Sequence, residues 1–233
     1  MSRAKPKVWY ASAARNVNAQ VPIHPILFRD WSDKRLADGD MPAIKIRIDI
    51  WLDSLKVGRL IEPDVFFHDW ALIPDRRRPK APSPMMSFGG TPVVTAEARA
   101  LLEGHDIGPM RFHPIRVLDA KREAPLWPDC PEVYALNVGT VKRGLDVAAT
   151  NPEGKPPRVS LMPRKLPGDV PTFFVNGNKD GDLAFAPSVL DGSNLWVDDQ
   201  LFGEVFLSDR LAKALTKAGL SRGWGLRRCR IVG

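Results

Sequence analysis

Two stretches of this chain repeat one pattern, and that repetition constrains the fold more than any other feature. Val93-Val94-Thr95 leads into an amphipathic run, then Ile107, then Phe112-His113-Pro114-Ile115-Arg116-Val117. Val205-Phe206-Leu207-Ser208 leads into a second run, then Leu220, then Leu226-Arg227-Arg228-Cys229-Arg230-Ile231. Apart from one extra residue in the second, the two register as short strand, capped helix, turn and strand. Each is a β-α-β unit of about 25 residues, and two copies are too few to stack into a solenoid. Thr95 and Ser208 are N-cap residue types, with Glu97 and Asp209 in the first turns, where the helix dipole favours acids. The first helix turns Ala98, Leu101 and Leu102 inward and stops at Gly104. The second carries Leu211, Ala214, Leu215 and Ala218 as a stripe and ends at Gly219, a left-handed C-cap type.

Strands are expected around these units. Ile44 to Ile50 alternates apolar and charged residues strictly, which predicts a half-buried strand. Val65-Phe66-Phe67 is a weaker candidate. Phe112 to Leu118 and Val133 to Val138 read as a pair joined through the loop of Trp127 and Cys130. Thr172 to Val175, Leu183 to Phe185 and Leu195 to Val197 complete the set. The 22 prolines concentrate in Pro74 to Pro92 and Pro152 to Pro171. Proline fixes φ and removes a donor, so both stretches read as long irregular loops. At 233 residues, one α+β domain is the expectation, with mixed or antiparallel sheets and two related β-α-β units. Residues 1–62 are expected to share its core, because of the Ile44 to Ile50 strand.

Composition narrows the function. Hydrophobic residues are 44% and charged residues 26%, the ordinary globular mix. The N-terminus lacks an apolar signal region and no run reaches membrane-span length, so the protein is expected to stay in the cytoplasm. Cys130 and Cys229 form no CxxC and read as free thiols. The net charge of +7 favours acidic partners.

The repeat and its surroundings resemble immunity family 11 of the bacterial polymorphic toxin systems, α+β proteins encoded beside secreted toxins. The resemblance rests on Val205-Phe206-Leu207-Ser208-Asp209-Arg210-Leu211 through Ala214-Leu215 and Ala218-Gly219-Leu220. It also rests on Phe112-His113-Pro114-Ile115, on Tyr134-Ala135-Leu136-Asn137-Val138, on Leu145-Asp146 and on Pro63-Asp64. It covers roughly Pro63 to the C-terminus. The central helix departs from the family pattern at Thr95-Ala96-Glu97, and the last strand departs at Arg227, Arg228 and Arg230. The resemblance implies a cytoplasmic protein that binds and blocks a cognate toxin encoded by a neighbouring gene, without catalysis or cofactor.

Motifs of chemistry are sparse. Walker A, GxGxxG, HExxH and GxSxG patterns do not occur. His68-Asp69 suits a base with its orienting carboxylate, or a histidine at a strand end. Asp198-Asp199 suits a cation, or an exposed turn. Asn176 to Asp182 has the look of a calcium loop without its closing acid, and reads as a tight polar turn. Arg76-Arg77-Arg78-Pro79-Lys80 suits phosphates or an acidic protein face, or is a solvated loop. Partner-binding candidates are Arg76, Arg77, Arg78, Trp127, Trp196, Asp198 and Asp199, since exposed Trp and Arg dominate interface hot spots. Two alternatives remain open: a nucleic-acid-binding protein using Arg76 to Lys80 and the C-terminal arginines, and an enzyme centred on His68 and Asp69.

Overall fold

The structure is a computed structural model. It describes residues 7–12, 20–25 apart from 22, 50–119 apart from 52, 56, 67, 73–79 and 89, 124–161 apart from 130 and 131, and 171–233 apart from 177, 178 and 202. In chain order the first half contains β1 (Val8–Ala11), β2 (Gln20–Val21), β3 (Ile23–Pro25), β4 (Asp69–Leu72), β5 (Met85–Phe88), β6 (Thr91–Thr95), α1 (Ala96–Glu103), β7 (Met110–Asp119) and β8 (Ala124–Pro125). The second contains β9 (Val133–Val138), α2 (Val147–Thr150), β10 (Val159–Leu161), β11 (Phe173–Val175), β12 (Ala184–Phe185), a 3-10 turn at Pro187–Leu190, β13 (Leu195–Val197), β14 (Val205–Ser208), α3 (Asp209–Lys217) and β15 (Leu226–Ile231). Strand outweighs helix, and the strands form two curled mixed sheets and a separate antiparallel β10-β11 pair.

The two β-α-β segments lie in sheets of matching strand order. One sheet runs β5-β6-β9-β7-β4 and the other β13-β14-β1-β15-β12. In each, the first four strands are mutually antiparallel and the last is parallel to its neighbour. Registers match position by position. Val94 faces Tyr134 as Leu207 faces Trp9. Phe112 faces Leu136 as Leu226 faces Ala11.

The middle strand of each sheet comes from the other half. β1 opens the first half yet lies between β14 and β15, and β9 opens the second half yet lies between β6 and β7. The halves have exchanged their first strands. The segments after the two exchanged strands also correspond. Residues 20–25 pair with β5 at one end and with β4 at the other, joining both edges of the first sheet. In the second sheet Val141 bridges β13 in parallel and Leu145 bridges β12 antiparallel.

Three apolar clusters result from this arrangement. The central one takes Ala98 and Leu102 from α1, Leu211 and Leu215 from α3, and residues of both sheets. The first sheet curls around Trp51, Phe66, Trp70, Phe88 and Trp127, and the second around Tyr10, Phe185, Trp196 and Phe206. Contact across the centre is close. Gly223 holds φ +87°, and a Cβ there would lie 2.0 Å from the Met85 carbonyl oxygen.

Both helix starts are as expected. Thr95 Oγ1 accepts from the Ala98 N–H and Ser208 Oγ from the Leu211 N–H. α3 ends in a Schellman motif: Gly219 sits at φ +73°, its N–H bonds the Thr216 carbonyl, and the Leu220 N–H bonds that of Leu215. Its buried stripe differs by a residue, with Ala212 buried and Ala218 exposed. The expected pairing of Phe112 to Leu118 with Val133 to Val138 is the β7–β9 ladder.

Four expectations need correction or fall outside. Ile50 is helical and exposed, not the end of a strand, and Ile44 to Ile48 lie outside the described residues. Trp51, Ser54 and Leu55, at i, i+3 and i+4, make the inward face of that turn. Val65 and Phe66 form a turn, and the strand begins at Asp69. The Pro74 to Pro92 stretch contains β5 and opens β6. Pro92 is tolerated because β9 begins its pairing at Val93, one residue later. The Pro152 to Pro171 stretch likewise holds β10.

Candidate partner-binding surface

The two tryptophans expected at an exposed face are in the core. Trp127 is 5% exposed and stacks on Phe88, and Trp196 is 1% exposed and stacks on Phe206. Alternation along β13 turns Trp196 inward, and the Lys142 ammonium lies 4.1 Å above its ring. Lys142 Nζ also donates to the Val189 and Ser193 carbonyls, and burial pulls its pKa down.

Asp198 corrects the reading as an exposed turn, for it is fully buried. Its carboxylate accepts from the backbone N–H groups of Gly144, Leu145 and Gln200, at 3.0, 3.2 and 2.9 Å. Burial raises its pKa, and those three hydrogen bonds oppose the rise. Asp198 thereby ties the 141–145 segment to the end of β13. Asp199 pairs with Arg143 through two hydrogen bonds. Arg76, Arg77 and Arg78 lie outside the described residues, as does Cys130; Cys229 is a buried free thiol whose pKa burial drives upward.

His68 and Asp69 do not form a dyad. The His68 ring nitrogens lie 2.9 Å from the Pro114 carbonyl and 3.1 Å from that of Pro63. Both oxygens of Asp69 accept instead from Arg116, at 2.7 and 2.8 Å, which holds the Asp69 carboxyl below its usual range. The Asn176 to Asp182 acids are taken by arginines: Asp180 by Arg228 and Asp182 by Arg158. Arg230 donates to the Gly181 and Ala149 carbonyls. Two of the C-terminal arginines thus brace neighbouring loops. Among the described residues no cluster of His, Cys, Asp or Glu is arranged to hold a metal, and no helix is long and apolar enough to cross a membrane.

Among the described residues, two grooves open on the outer surface. The first, of about 570 Å³, is lined by His68, Asp69, Pro114, Arg116, Pro125, Glu132 and Tyr134. The Tyr134 hydroxyl donates to Glu132 at 2.6 Å, and that bond raises its pKa. The second, of about 680 Å³, is lined by Trp9, Ala212, Lys213, Thr216, Lys217, Ser221, Gly223, Gly225 and Leu226. Trp9 Nε1 donates to Asp209 at 3.0 Å, and Asp209 pairs with Lys213 at 2.6 Å.

Among the described sequence candidates, His68, Asp69 and Trp127 border the first groove, and none borders the second. The missing signal was tertiary: Trp9 and Leu226 are more than 200 residues apart in the chain and become neighbours only because β1 is exchanged. Within the repeat itself one signal was present. Arg99 and Ala212 each stand four residues after the helix cap, and they differ greatly in size.

No protein-family model and no curated protein matches this sequence. The resemblance to immunity family 11 therefore rests on the quoted residues alone.

Proposed function

We propose that this protein is an immunity-type binding protein that neutralises a cognate bacterial toxin by stoichiometric occlusion. The single observation that carries this reading is the pair of preformed grooves, each with an apolar floor and a charged rim. Apolar centre and polar rim are the anatomy of a recognition surface. A rigid scaffold supports it, since both grooves are built on strands and helices packed on buried cores. Such a face binds without first ordering itself, which spares part of the cost of association. The family-like residues add to this reading: Ser208, Leu211, Leu215, Gly219 and Leu220 all serve as cap or core positions.

Size-exclusion chromatography of the chain with the product of the neighbouring gene tests the reading. The expected result is one stoichiometric peak, with protection of cells that express the toxin. Two separate peaks and no protection overturn it.

A further inference from the structure

We infer that the groove between α3, β1 and β15 docks an acidic segment of the partner protein, with an apolar side chain seated on Trp9 and Leu226. This deepens the proposed function and rests on it. The two halves of the molecule supply the argument. Tyr134 and Phe112 hold the positions in the first sheet that Trp9 and Leu226 hold in the second. In the first half Arg99 covers that surface, its guanidinium carbon 4.5 Å from the Tyr134 ring centre and 5.2 Å from that of Phe112. Glu103 holds the arginine in place at 2.8 Å. In the second half the corresponding residues are Ala212 and Thr216, and the aromatic surface stays open as a groove.

Charge selects the occupant. Lys213 and Lys217 rim the groove, and Lys217 has no ion pair among the described residues. Among the described residues the acid touching the floor is Asp209, which already receives the Trp9 indole N–H and Lys213. The whole chain carries +7. A cation in the position of Arg99 would meet two lysines and no spare carboxylate. A carboxylate beside an apolar side chain satisfies both rim and floor.

The test rebuilds the closed half within the open one. Ala212→Arg with Thr216→Glu recreates the Arg99–Glu103 arrangement over Trp9. Lys217→Glu reverses the rim charge. First, an acetylated Glu-Leu-Glu-Phe-Glu peptide is titrated while the Trp9 indole N–H is followed by NMR. A saturable shift is expected with this peptide, none with a Lys-Leu-Lys-Phe-Lys peptide, and none in the double variant. No Trp9 shift, or an equal shift with the basic peptide, overturns the inference. Second, the neighbouring-gene product is titrated onto the wild type and both variants. The expected result is at least tenfold weaker binding by each variant, with each variant still unfolding in a single cooperative transition. If the wild type binds that product and both variants bind it equally well, the inference falls and the proposed function stands. If the wild type fails to bind it, the proposed function falls, and the peptide titration still decides the chemistry of the groove.

Discussion

The first and second sheets of this molecule, each with its helix, share a skeleton and differ in the side chains they place on it. Both have five strands in the same order and direction, a helix capped by a hydroxyl residue, and a segment reaching from one sheet edge to the other. Inside, the first curls around a cluster of Trp51, Phe66, Trp70, Phe88 and Trp127, the second around Tyr10, Phe185, Trp196 and Phe206. On the outer face, the first sheet presents Glu132 and an Asp69–Arg116 pair. At the corresponding strand positions the second sheet has Lys7, Ala184 and Arg230. The skeleton is shared where backbone hydrogen bonds and core packing set it; the faces are free to diverge because exposed side chains carry little of the stability.

Strand exchange makes the strongest demand. A central strand contributes two ladders, and each half borrows its central strand from the other. Cutting the chain after residue 121 is expected to yield fragments 1–121 and 122–233 that co-purify and melt together, while each alone shows no cooperative transition by circular dichroism. A fragment that folds by itself would refute the exchange as the basis of cohesion.

Two glycines sharpen the comparison next. Gly223→Ala sets a Cβ against the Met85 carbonyl at a left-handed φ, where the halves meet, and should cost about 3 kcal/mol in denaturant unfolding. Gly219→Ala meets nothing within 4 Å and pays only for its φ, about 1 kcal/mol. Equal costs would show that the Gly223 contact yields freely.

The first half also carries an acid sensitivity that the second lacks at the corresponding position, where Arg227 stands for His113. His113 is buried, stacks on Phe66 at 4.4 Å, and is held below the usual histidine pKa by burial. The Asn137 side chain opposes this, nearby His68 and Arg111 push the same way as burial, and Glu62 opposes them. Because the folded-state pKa is depressed, the unfolded chain binds this proton more readily. Stability is full above the ordinary value of 6.5 and falls as pH drops through it towards the folded-state value. His113→Phe, which keeps the stack, should flatten that acid limb in a pH series of urea midpoints; an unchanged slope assigns it to other groups.

The smallest effect concerns the cover over the aromatic pair. Arg99→Ala removes a half-exposed cation–π contact and an ion pair with Glu103, and should cost roughly 0.5–1 kcal/mol in thermal unfolding. A loss several times larger would mean that the open groove of the second half imposes a comparable deficit on the whole molecule.

Much of the skeleton was legible in the sequence. The caps at Thr95 and Ser208, the β9 strand and the matched strands after each helix come from hydroxyl caps, β-branched runs and apolar periodicity, which are local properties of the chain. The same local reasoning failed where a neighbour decided. Ile50 sits in a helical turn because Trp51 and Leu55 are the residues the first sheet buries. Pro92 sits in a strand because its partner on one side starts a residue later. Trp127 and Trp196 look like exposed anchors beside loops, yet the curl of each sheet turns them inward. Asp198 looks like a turn acid and is buried, because three backbone N–H groups, two of them from the distant 144–145 segment, converge on it.

By itself, then, the sequence determined that there are two copies of one β-α-β unit, where each helix begins, and how their apolar faces are spaced. Only the tertiary structure decided that the copies trade their first strands, that Trp9 is the counterpart of Tyr134, and that a groove lies open where Arg99 closes its twin. The physical reason is distance along the chain. Caps and periodicity act within a few residues, whereas strand exchange joins Val8 to Cys229 and Val133 to Thr95, pairings that only the assembled sheets can specify.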